Sequence, residues 1–501
     1  IYTFEEGSAN DKDLLGGKGA NLAEMSHLGL PVPPGFTITT QSCINYLDNP
    51  DFFDSTLKED ILKAVTHLEK KTDKTGENFT GEGSNLLLVS VRSGAKFSMP
   101  GMMDTILNLG LNDQRTQILA KETNLDFAYN CYRRLLQMYA DVVYGIDKGL
   151  FDEQLAAFEE KLAKKVQDFD LSQHQELIKH YKDLYFKYDH HFPEDPNEQL
   201  YAAIQAVFKS WNNHRARIYR ELHQIPHDLG TAVNVQAMVF GNSDQHSGTG
   251  VCFTRNPATG EAELFGEFLL NAQGEDVVAG IRTPEPIAAL KEIQPETYQA
   301  FRDYANVLEN HYKDMQDIEF TIEKGKLYIL QTRNGKRTAK ASLKIALDMV
   351  DQGLINKKEA LLRVEPASIN QLIHPVFEET ALESATFLAQ GLPASPGAAT
   401  GEIVFTADRA KEVHQEGKKV ILVRQETSPE DIEGMIVSQA IVTSQGGMTS
   451  HAAVVARGMG TCCVAGCGEV SISEETKTLS CDGLVLTEGD MISVDGYSGR
   501  L

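Results

Sequence analysis

Residues 440–458 read AIVTSQGGMTSHAAVVARG and predict a strand, a turn and a short helix. The run 440–443 is apolar and branched like a buried strand, Gly446 and Gly447 suit a turn, and the hydroxyl residues that follow are typical of a helix start. His451 then lies in the first helical turn, where the helix dipole favours negative charge. Since a neutral imidazole is a nucleophile, the segment predicts a phosphate-carrying histidine, and the alternative is a structural one.

The composition indicates a globular, acidic protein. The 501 residues include 47 Lys+Arg and 71 Asp+Glu, a formal net charge of −24, and 42% are hydrophobic. These values exclude a disordered or fibrous chain, and about 150 residues per domain allows roughly three domains. The negative charge argues against nucleic acid or an anionic membrane as the main partner. An anionic ligand therefore needs a local group of cations and N–H donors.

The sequence carries no recognisable targeting signal. Residues 1–6 have neither the basic start nor the apolar core of a signal peptide, and no apolar run approaches the about 18 residues of a membrane span. Seven cysteines without a Cys-x-x-Cys pair are typical of reduced thiols. We therefore expect a cytoplasmic protein. Because the chain begins at Ile1 and ends at Leu501 without an obvious tail, we also expect a fragment.

Hydrophobic patterning predicts an α/β multidomain protein. Residues 1–337 are mixed α/β, with a mainly helical insertion at 114–220. Residues 338–388 predict a helical linker, and 389–501 a compact α/β domain. The insertion carries an apolar stripe at helical spacing, made of Phe127, Cys131, Leu135, Met138 and Val142.

Two basic residues are candidates for binding phosphate. Lys18 stands among glycines at 16, 17 and 19, which let the backbone approach a ligand closely, although the pattern is not a Walker A loop. Arg92 is expected at the end of a strand that begins with the apolar run 86–91, where a guanidinium can bind phosphate oxygens. The alternatives are a surface turn for Lys18 and a structural ion pair for Arg92.

A loop rich in glycine and serine joins two predicted strands. Residues 242–250 follow the strand at 232–240 and precede the strand at 250–254, so a flexible hairpin is predicted whose N–H groups fold over phosphates. The alternative is a mobile surface loop. The nucleotide-binding candidates here are Gln236, Ser247, Gly248 and Thr249.

Alternating acids predict a magnesium site. Strand periodicity places Asp317 and Glu319 on one face, opposite the apolar residues between them. Gln331 and Arg333 share a face of the following strand. Two carboxylates on one face suit Mg²⁺ held jointly with substrate phosphates, and the alternative is a solvated strand face.

These segments together resemble the pyruvate phosphate dikinase family along essentially the whole chain. Five motifs appear in the family's order, namely Leu15-Gly-Gly-Lys-Gly, Val89-Ser-Val-Arg-Ser-Gly-Ala, Gly101-Met-Met-Asp-Thr-Ile-Leu-Asn-Leu-Gly, Asp317-Ile-Glu-Phe and Gly446-Gly-Met-Thr-Ser-His-Ala-Ala-Val-Val-Ala-Arg-Gly. The resemblance implies an ATP-grasp nucleotide-binding domain at 1–337 and a swivelling phosphohistidine domain at 389–501. One departure is Ser444-Gln445, where the family leads us to expect an arginine beside the glycines.

The resemblance also implies residue roles. His451 is expected to carry the phosphoryl group, and Thr449 corresponds to a position of regulatory phosphorylation. Mg²⁺ is expected on the carboxylates. The residues implied to bind ATP are Lys18, Arg92, Asp317, Glu319, Gln331 and Arg333.

The implied reaction is the first half of the family's chemistry, in which ATP and phosphate become AMP and pyrophosphate while His451 is phosphorylated. The family also has a third domain, a C-terminal barrel for pyruvate and phosphoenolpyruvate, for which the 501 residues leave no room. We therefore expect this chain to contain the first two domains only. A homodimer is expected only in the full-length protein. The nearest alternative is a water dikinase like phosphoenolpyruvate synthase. The other is a non-catalytic phosphocarrier.

Overall fold

The computed structural model describes residues 1–72, 79–81, 85–97, 99, 103–274, 276, 283–365, 377, 381–382 and 385–501. It divides into two compact units, Ile1–Val239 and Phe240–Leu501. Both contain helices and sheets, which confirms the mixed α/β class. The predicted domain boundaries at 337/338 and 388/389 stay predictions.

The first unit contains a five-stranded sheet with the order β1-β2-β5-β3-β4, and all of its pairings are antiparallel. Its strands are β1 Tyr2–Thr3, β2 Gly35–Ile38, β3 Val89–Gly94, β4 Thr105–Leu109 and β5 Ala232–Ala237. Its helices in the described residues are α1 Lys12–His27, α2 Thr40–Asp48, α3 Lys58–Lys71, α4 Asp113–Glu122, α5 Leu125–Tyr144, α6 Gly149–Leu162, α7 Leu171–Lys187, α8 Pro196–Ser210 and α9 His214–Leu222.

The helical character predicted for residues 114–220 is confirmed by α4 to α9. In α5, the side chain of Asn124 caps the N-terminus by accepting a 2.8 Å hydrogen bond from the N–H of Phe127, and Gly145 in the left-handed conformation ends the helix. Within the predicted stripe, Phe127, Cys131 and Leu135 are buried, and the last two members are half-buried. None of the described helices is both long and apolar enough to cross a membrane.

Strand β3 begins three residues later than predicted. Leu86 to Leu88 are buried, as the apolar run indicated, but the strand starts only at Val89. Before the strand, the buried side chain of Arg115 donates a hydrogen bond to the carbonyl of Leu87 at 3.2 Å. Arg92 therefore lies inside β3 and not at its end, which corrects the prediction.

The second unit contains a five-stranded antiparallel sheet with the order β10-β9-β6-β7-β8. Its strands are β6 Gly248–Phe253, β7 Phe265–Leu270, β8 Glu285–Pro286, β9 Gln316–Glu323 and β10 Lys326–Asn334, and it carries helices α10 Leu290–Ile293 and α11 Pro295–Tyr312. The predicted hairpin around residues 242–250 is wrong. Strand β5 pairs with β2 and β3, whereas β6 pairs with β7 and β9, because long-range partners decide the pairing of both strands.

Two helices follow, α12 Ala339–Asp351 and α13 Lys357–Arg363. Thr338 caps α12, as the predicted helical start at 338 requires, and accepts a 3.1 Å hydrogen bond from the N–H of Ala341. The side chain of Arg255, 1% exposed, lies 2.7 Å from a carboxylate oxygen of Glu309 and also bonds Asp348 of α12. Residues 366–376, 378–380, 383 and 384 of the predicted linker, and Gly101-Met102 of the quoted motif, lie outside the described residues.

The C-terminal part of this unit is built on a six-stranded sheet with the order β11-β15-β14-β13-β12-β19. Strands β12 to β15 run parallel and the two edges are antiparallel, and β16 to β18 form a smaller sheet. The elements are β11 Leu392–Ser395, β12 Ala398–Val404, α14 Ala407–Gln415, β13 Val420–Arg424, α15 Ile432–Val437, β14 Ala440–Thr443, α16 His451–Met459, β15 Cys462–Ala465, β16 Ser471–Ser473, β17 Thr478–Cys481, β18 Leu484–Thr487 and β19 Met491–Asp495.

Candidate functional site

The segment that carries His451 has the predicted order of strand, turn and helix. Strand β14 spans the four predicted residues, and α16 begins at His451 because Ser450 keeps an extended backbone and acts as the N-cap. Its hydroxyl accepts from the N–H of Ala453 at 3.5 Å. His451 is thus the first helical residue, where backbone N–H groups have no helical acceptor.

The His451 ring is held at one nitrogen and enclosed at the other. Nδ1 lies 2.9 Å from the hydroxyl oxygen of Thr427. Nε2 is buried and has no hydrogen-bond partner within the described residues. Burial lowers the pKa of His451 to about 4, although Asp431 and Glu430 oppose this change. The imidazole is therefore neutral at pH 7.

The loop that presents Thr427 is fixed on both sides. The side-chain amide of Gln425 donates to the carbonyl of Ile472 at 2.8 Å, and the N–H of Gln445 donates to the carbonyl of Gln425 at 2.9 Å. Beyond Thr427, the N–H of Ser428 donates to the Asp431 carboxylate at 2.9 Å. No sequence pattern points to Thr427, since a single hydroxyl residue in a loop forms none.

Strands β9 and β10 present an acidic face as predicted. Asp317 pairs with Arg333 across the two strands, and Glu319 pairs with Gln331. Arg333 Nε donates to Asp317 Oδ2 at 2.7 Å. The intervening Ile318, Phe320 and Ile322 are completely buried on the opposite face.

Two acceptor oxygens on the acidic face are buried without a partner. Asp317 Oδ1 and Gln331 Oε1 have no hydrogen-bond partner in the part of the chain that the structure describes. Asp317 is only 5% exposed. Oxygen atoms that are buried and unsatisfied call for an explanation such as an ion or a ligand. Among the described residues, no cluster of three or more His, Cys, Asp or Glu side chains could hold a metal ion.

The acidic face extends to Glu267, a residue that no sequence motif predicted. Val251 pairs with both Glu319 and Glu267, so these side chains lie on one face of the sheet. Glu267 Oε1 accepts from the N–H of Met448 at 3.1 Å, and Oε2 accepts from the hydroxyl of Thr449 at 2.9 Å. The sheet with the acidic face thus contacts the start of the His451 helix.

The contact between Glu267 and the turn before α16 requires a glycine at position 447. A Cβ atom at this position would collide with the Glu267 carboxylate. Arg457 of α16 supports the same turn, because its guanidinium donates to the carbonyls of Met448 and Ala394. Burial lowers the pKa of Arg457 to about 10.

The first unit contains Lys18, Arg92 and Gln236. Helix α1 is kinked at Gly16, whose φ of 67° and close approach to Gly94 require a glycine. Lys18 follows this kink directly and lies beside Gly94 at the end of β3, the strand that carries Arg92. Gln236 is 2% exposed and donates to the carbonyl of Pro33 at 3.0 Å.

The remaining candidates lie in the second unit, at the start of β6. The hydroxyl of Ser247 donates to Asp244 at 2.6 Å and accepts from the N–H of Lys324 at 2.9 Å. Thr249 donates to the carbonyl of Phe320 at 3.1 Å. Gly248 lies between them as the first residue of the strand. The sheet of the first unit therefore holds Arg92 and Gln236, and the sheet with the acidic face holds Gly248 and Thr249.

Comparison with known proteins identifies the family. The family model described as "Pyruvate phosphate dikinase, AMP/ATP-binding domain" matches residues 12–71, 50–295 and 287–354, well over half of the chain. The chain belongs to this family. A second model, described as "PEP-utilising enzyme, mobile domain", matches residues 416–499, which include His451. The pyruvate phosphate dikinase resemblance predicted from five motifs is confirmed.

Curated relatives align along the whole chain. Pyruvate, phosphate dikinase of Clostridium symbiosum is 54% identical over 505 residues, which cover 100% of this chain and 57% of that protein. The enzyme of Rhizobium meliloti is 53% identical with the same coverage. Chloroplastic pyruvate, phosphate dikinase 1 of Arabidopsis thaliana is 50% identical over 100% of this chain and 52% of its own length. This family member therefore spans little more than half the length of these relatives.

Proposed function

We propose that this chain phosphorylates its own His451 with ATP and inorganic phosphate, releasing AMP and pyrophosphate. The observation that carries the proposal is a neutral histidine at a helix start whose neighbours Met448 and Thr449 bind a carboxylate of the sheet that holds Asp317 and Glu319. Membership of the dikinase family supports it. The non-catalytic phosphocarrier is disfavoured because such a carrier needs no acidic face of its own.

We further propose the domain arrangement that the sequence predicts. Residues 1–337 form the ATP-grasp nucleotide-binding domain, 338–388 the linker, and 389–501 the swivelling domain that carries His451. The match of 416–499 to a mobile domain supports the last of these. A cytoplasmic location stays part of this proposal.

Mg²⁺ fits the acidic face. The buried, unpartnered Asp317 Oδ1 and the neighbouring Glu319 offer the carboxylate oxygens that Mg²⁺ prefers, with the remaining positions left for phosphate oxygens and water. A Mg²⁺ ion bound there would neutralise charge that develops on the phosphate oxygens. Asp317 and Glu319 would hold it, and Arg333 keeps the Asp317 carboxylate oriented.

The other site residues then bind the nucleotide. Lys18, Arg92 and Arg333 would offset the charge of the triphosphate, while Gln331 supplies a polar contact beside the acids. Gln236, Ser247, Gly248 and Thr249 are the remaining residues that we propose contact the nucleotide. Within the second unit, Ser247 and Thr249 use their hydroxyls inside the protein, and the N–H of Ser247 donates to the carbonyl of Asp244 at 3.2 Å.

The chemical step is a displacement at the β-phosphorus. The lone pair of His451 Nε2 forms the N–P bond, and the bond to the bridging oxygen breaks, so AMP leaves with that electron pair. Inorganic phosphate then attacks the terminal phosphorus and departs as pyrophosphate, which leaves one phosphoryl group on His451. The whole parent protein would pass this group to pyruvate to make phosphoenolpyruvate, and a homodimer and regulation through Thr449 belong to that larger proposal.

The test follows the label from ATP. With ATP labelled at the β-phosphate, the chain should acquire acid-labile, base-stable label, and label at the γ-phosphate should appear in pyrophosphate only when phosphate is added. The matched control is His414→Asn, an exposed histidine of the same unit, which should label like the wild type. Equal AMP release without phosphate would instead favour the water dikinase, and failure of the wild type to take up label would refute the proposal.

A further inference from the structure

We propose that Thr427 is a positioning residue that holds His451 in the tautomer with its proton on Nδ1, so that Nε2 carries the lone pair that accepts the phosphoryl group. The inference rests on the proposed function and goes beyond it, because it says which nitrogen reacts and why. Its basis is the 2.9 Å contact between Thr427 Oγ1 and His451 Nδ1.

The contact alone is compatible with either direction of the hydrogen bond. A neutral imidazole has one N–H and one lone pair, and a hydroxyl can donate or accept. The enclosed Nε2 decides the direction, since it is buried without a partner within the described residues. If the Thr427 hydroxyl donated to Nδ1, the ring proton would sit on Nε2 as a buried donor without an acceptor.

An orphaned buried N–H is the costlier of the two arrangements. Removing such a donor from water costs about 1–3 kcal/mol, and unpaired buried N–H groups are rarer than unpaired acceptors. With the proton on Nδ1, the N–H donates to Thr427, and only a lone pair at Nε2 stays unsatisfied. The Thr427 hydroxyl can then turn its hydrogen toward the small polar cavity that it lines with Glu426 and Gln445.

The rigid loop makes Thr427 suited to this role. The hydrogen bonds of Gln425 and of Ser428 with Asp431 fix the backbone on either side of it. Asp431, which is 5% exposed, lies 3.5 Å from Arg424 at the end of β13. The hydroxyl is therefore held by the sheet itself, and an element that resists movement can select one tautomer.

The same hydrogen bond favours the chemical step. As Nε2 forms its bond to phosphorus and the bridging oxygen leaves with its electron pair, the ring keeps the Nδ1 proton and gains positive charge. A hydrogen bond from a charged donor is roughly twice as strong as a neutral one. The bond to Thr427 is thus stronger in the transition state than in the ground state, which is the condition for faster transfer. No base has to remove a proton from the ring.

The experiment compares Thr427→Val, which removes the hydroxyl, with Thr427→Ser, which keeps it. In protein with ¹⁵N-labelled histidine, NMR should show the Nδ1–H form at His451 in the wild type and in Thr427→Ser, with the signal assigned by its loss in His451→Asn. Thr427→Val should lose this preference. Its rate of β-label uptake should fall by roughly tenfold or more at unchanged KM for ATP, because one hydrogen bond to a charged group is lost.

Two results would overturn the inference. The first is an Nε2–H tautomer in the wild type, which needs no variant and does not depend on how Thr427→Val folds. The second is a Thr427→Val protein that melts like the wild type, keeps the tautomer and takes up label at the normal rate. A wild type with the Nδ1–H form that takes up no label would refute the proposed function alone, so the two failures are distinguishable.

Discussion

Two histidines in different regions of the molecule lie in the first turns of helices, and they share one electrostatic property. His174 is the fourth residue of α7 in the helical part of the first unit, and His451 is the first residue of α16. Burial lowers the pKa of each ring to about 4. Their surroundings differ, since His174 is 1% exposed and stacks on Tyr129 at 4.9 Å between ring centroids.

The contrast shows what a lowered pKa does and does not indicate. His174 has no hydrogen-bond partner at either nitrogen within the described residues and is enclosed by aromatic rings, so it acts as a packing residue. His451 has one nitrogen fixed by Thr427 and stands beside a glycine turn that contacts an acidic sheet. Burial sets the protonation state in both cases. Only the second environment fits the proposed phosphoryl transfer to a neutral ring.

The largest difference between the two histidines is expected when each is replaced by asparagine. His451→Asn should lose all label from β-labelled ATP while still folding, because asparagine is polar but lacks the nucleophilic nitrogen. His174→Asn should take up as much label per folded molecule as the wild type. Label uptake measured after desalting, together with a thermal melt of each variant, checks the outcome, and labelled His451→Asn would remove His451 from its proposed role.

The next largest effect is expected on the acidic face. Glu319→Gln removes a charged oxygen ligand and should lower the rate of His451 phosphorylation by about 100-fold or more, as for other groups that stabilise transition-state charge. Glu319 is half-buried on the face opposite the apolar core, so the melting temperature should change little. Glu296→Gln on the exposed surface of α11 is the control. A strongly lowered melting temperature of Glu319→Gln would show that the residue is structural.

A smaller effect is expected where the sheet meets the carrier helix. Thr449→Val removes the 2.9 Å bond from the hydroxyl to Glu267 and keeps the side chain's volume. Hydrogen bonds to charged groups contribute about 1.5–3 kcal/mol, so His451 phosphorylation should slow by roughly tenfold. Thr449→Ser should stay close to wild type. Single-turnover labelling compares the wild type with both variants. Equal rates for Thr449→Val and Thr449→Ser would mean that the hydrogen bond to Glu267 contributes nothing to phosphoryl transfer.

The smallest effect concerns stability and pH. The pKa of His174 is about 4 in the folded state and about 6.5 when unfolded. Above pH 6.5 both states are neutral, and between pH 6.5 and 4 only the unfolded state binds the proton, so the native state loses stability as the pH falls. His174→Phe should reduce this loss by at least about 1 kcal/mol, since one pKa unit corresponds to about 1.4 kcal/mol. Urea unfolding at pH 7 and pH 4.5 measures it, and an unchanged pH dependence would contradict the assignment.

Local patterns predicted the elements on which the site is built. The strand at 440–443, the helix at His451 and the shared face of Asp317 and Glu319 follow from periodicity and capping, which act over a few residues. The hairpin at 242–250 was wrong because strand partners far along the chain decide the pairing.

Thr427 and Glu267 could not be predicted for a related reason. Each is a single polar residue in an ordinary context, and its importance arises only when the fold brings it to His451 or to the turn before it. Sequence periodicity contains no information about such contacts. The resemblance to the dikinase family found the residues of its motifs and did not extend to these two.

The contact between Glu267 and the turn before α16 has a consequence for the order of events. Glu267 places a negative charge at the backbone N–H of Met448, which precedes His451 by three residues. A phosphoryl group on His451 would add about two negative charges at the same helix start. Since like charges repel, the proposed phosphorylation would disfavour the contact between Glu267 and this turn. Under the proposed function, phosphorylation of His451 would thus favour separation of the carrier helix from the acidic face.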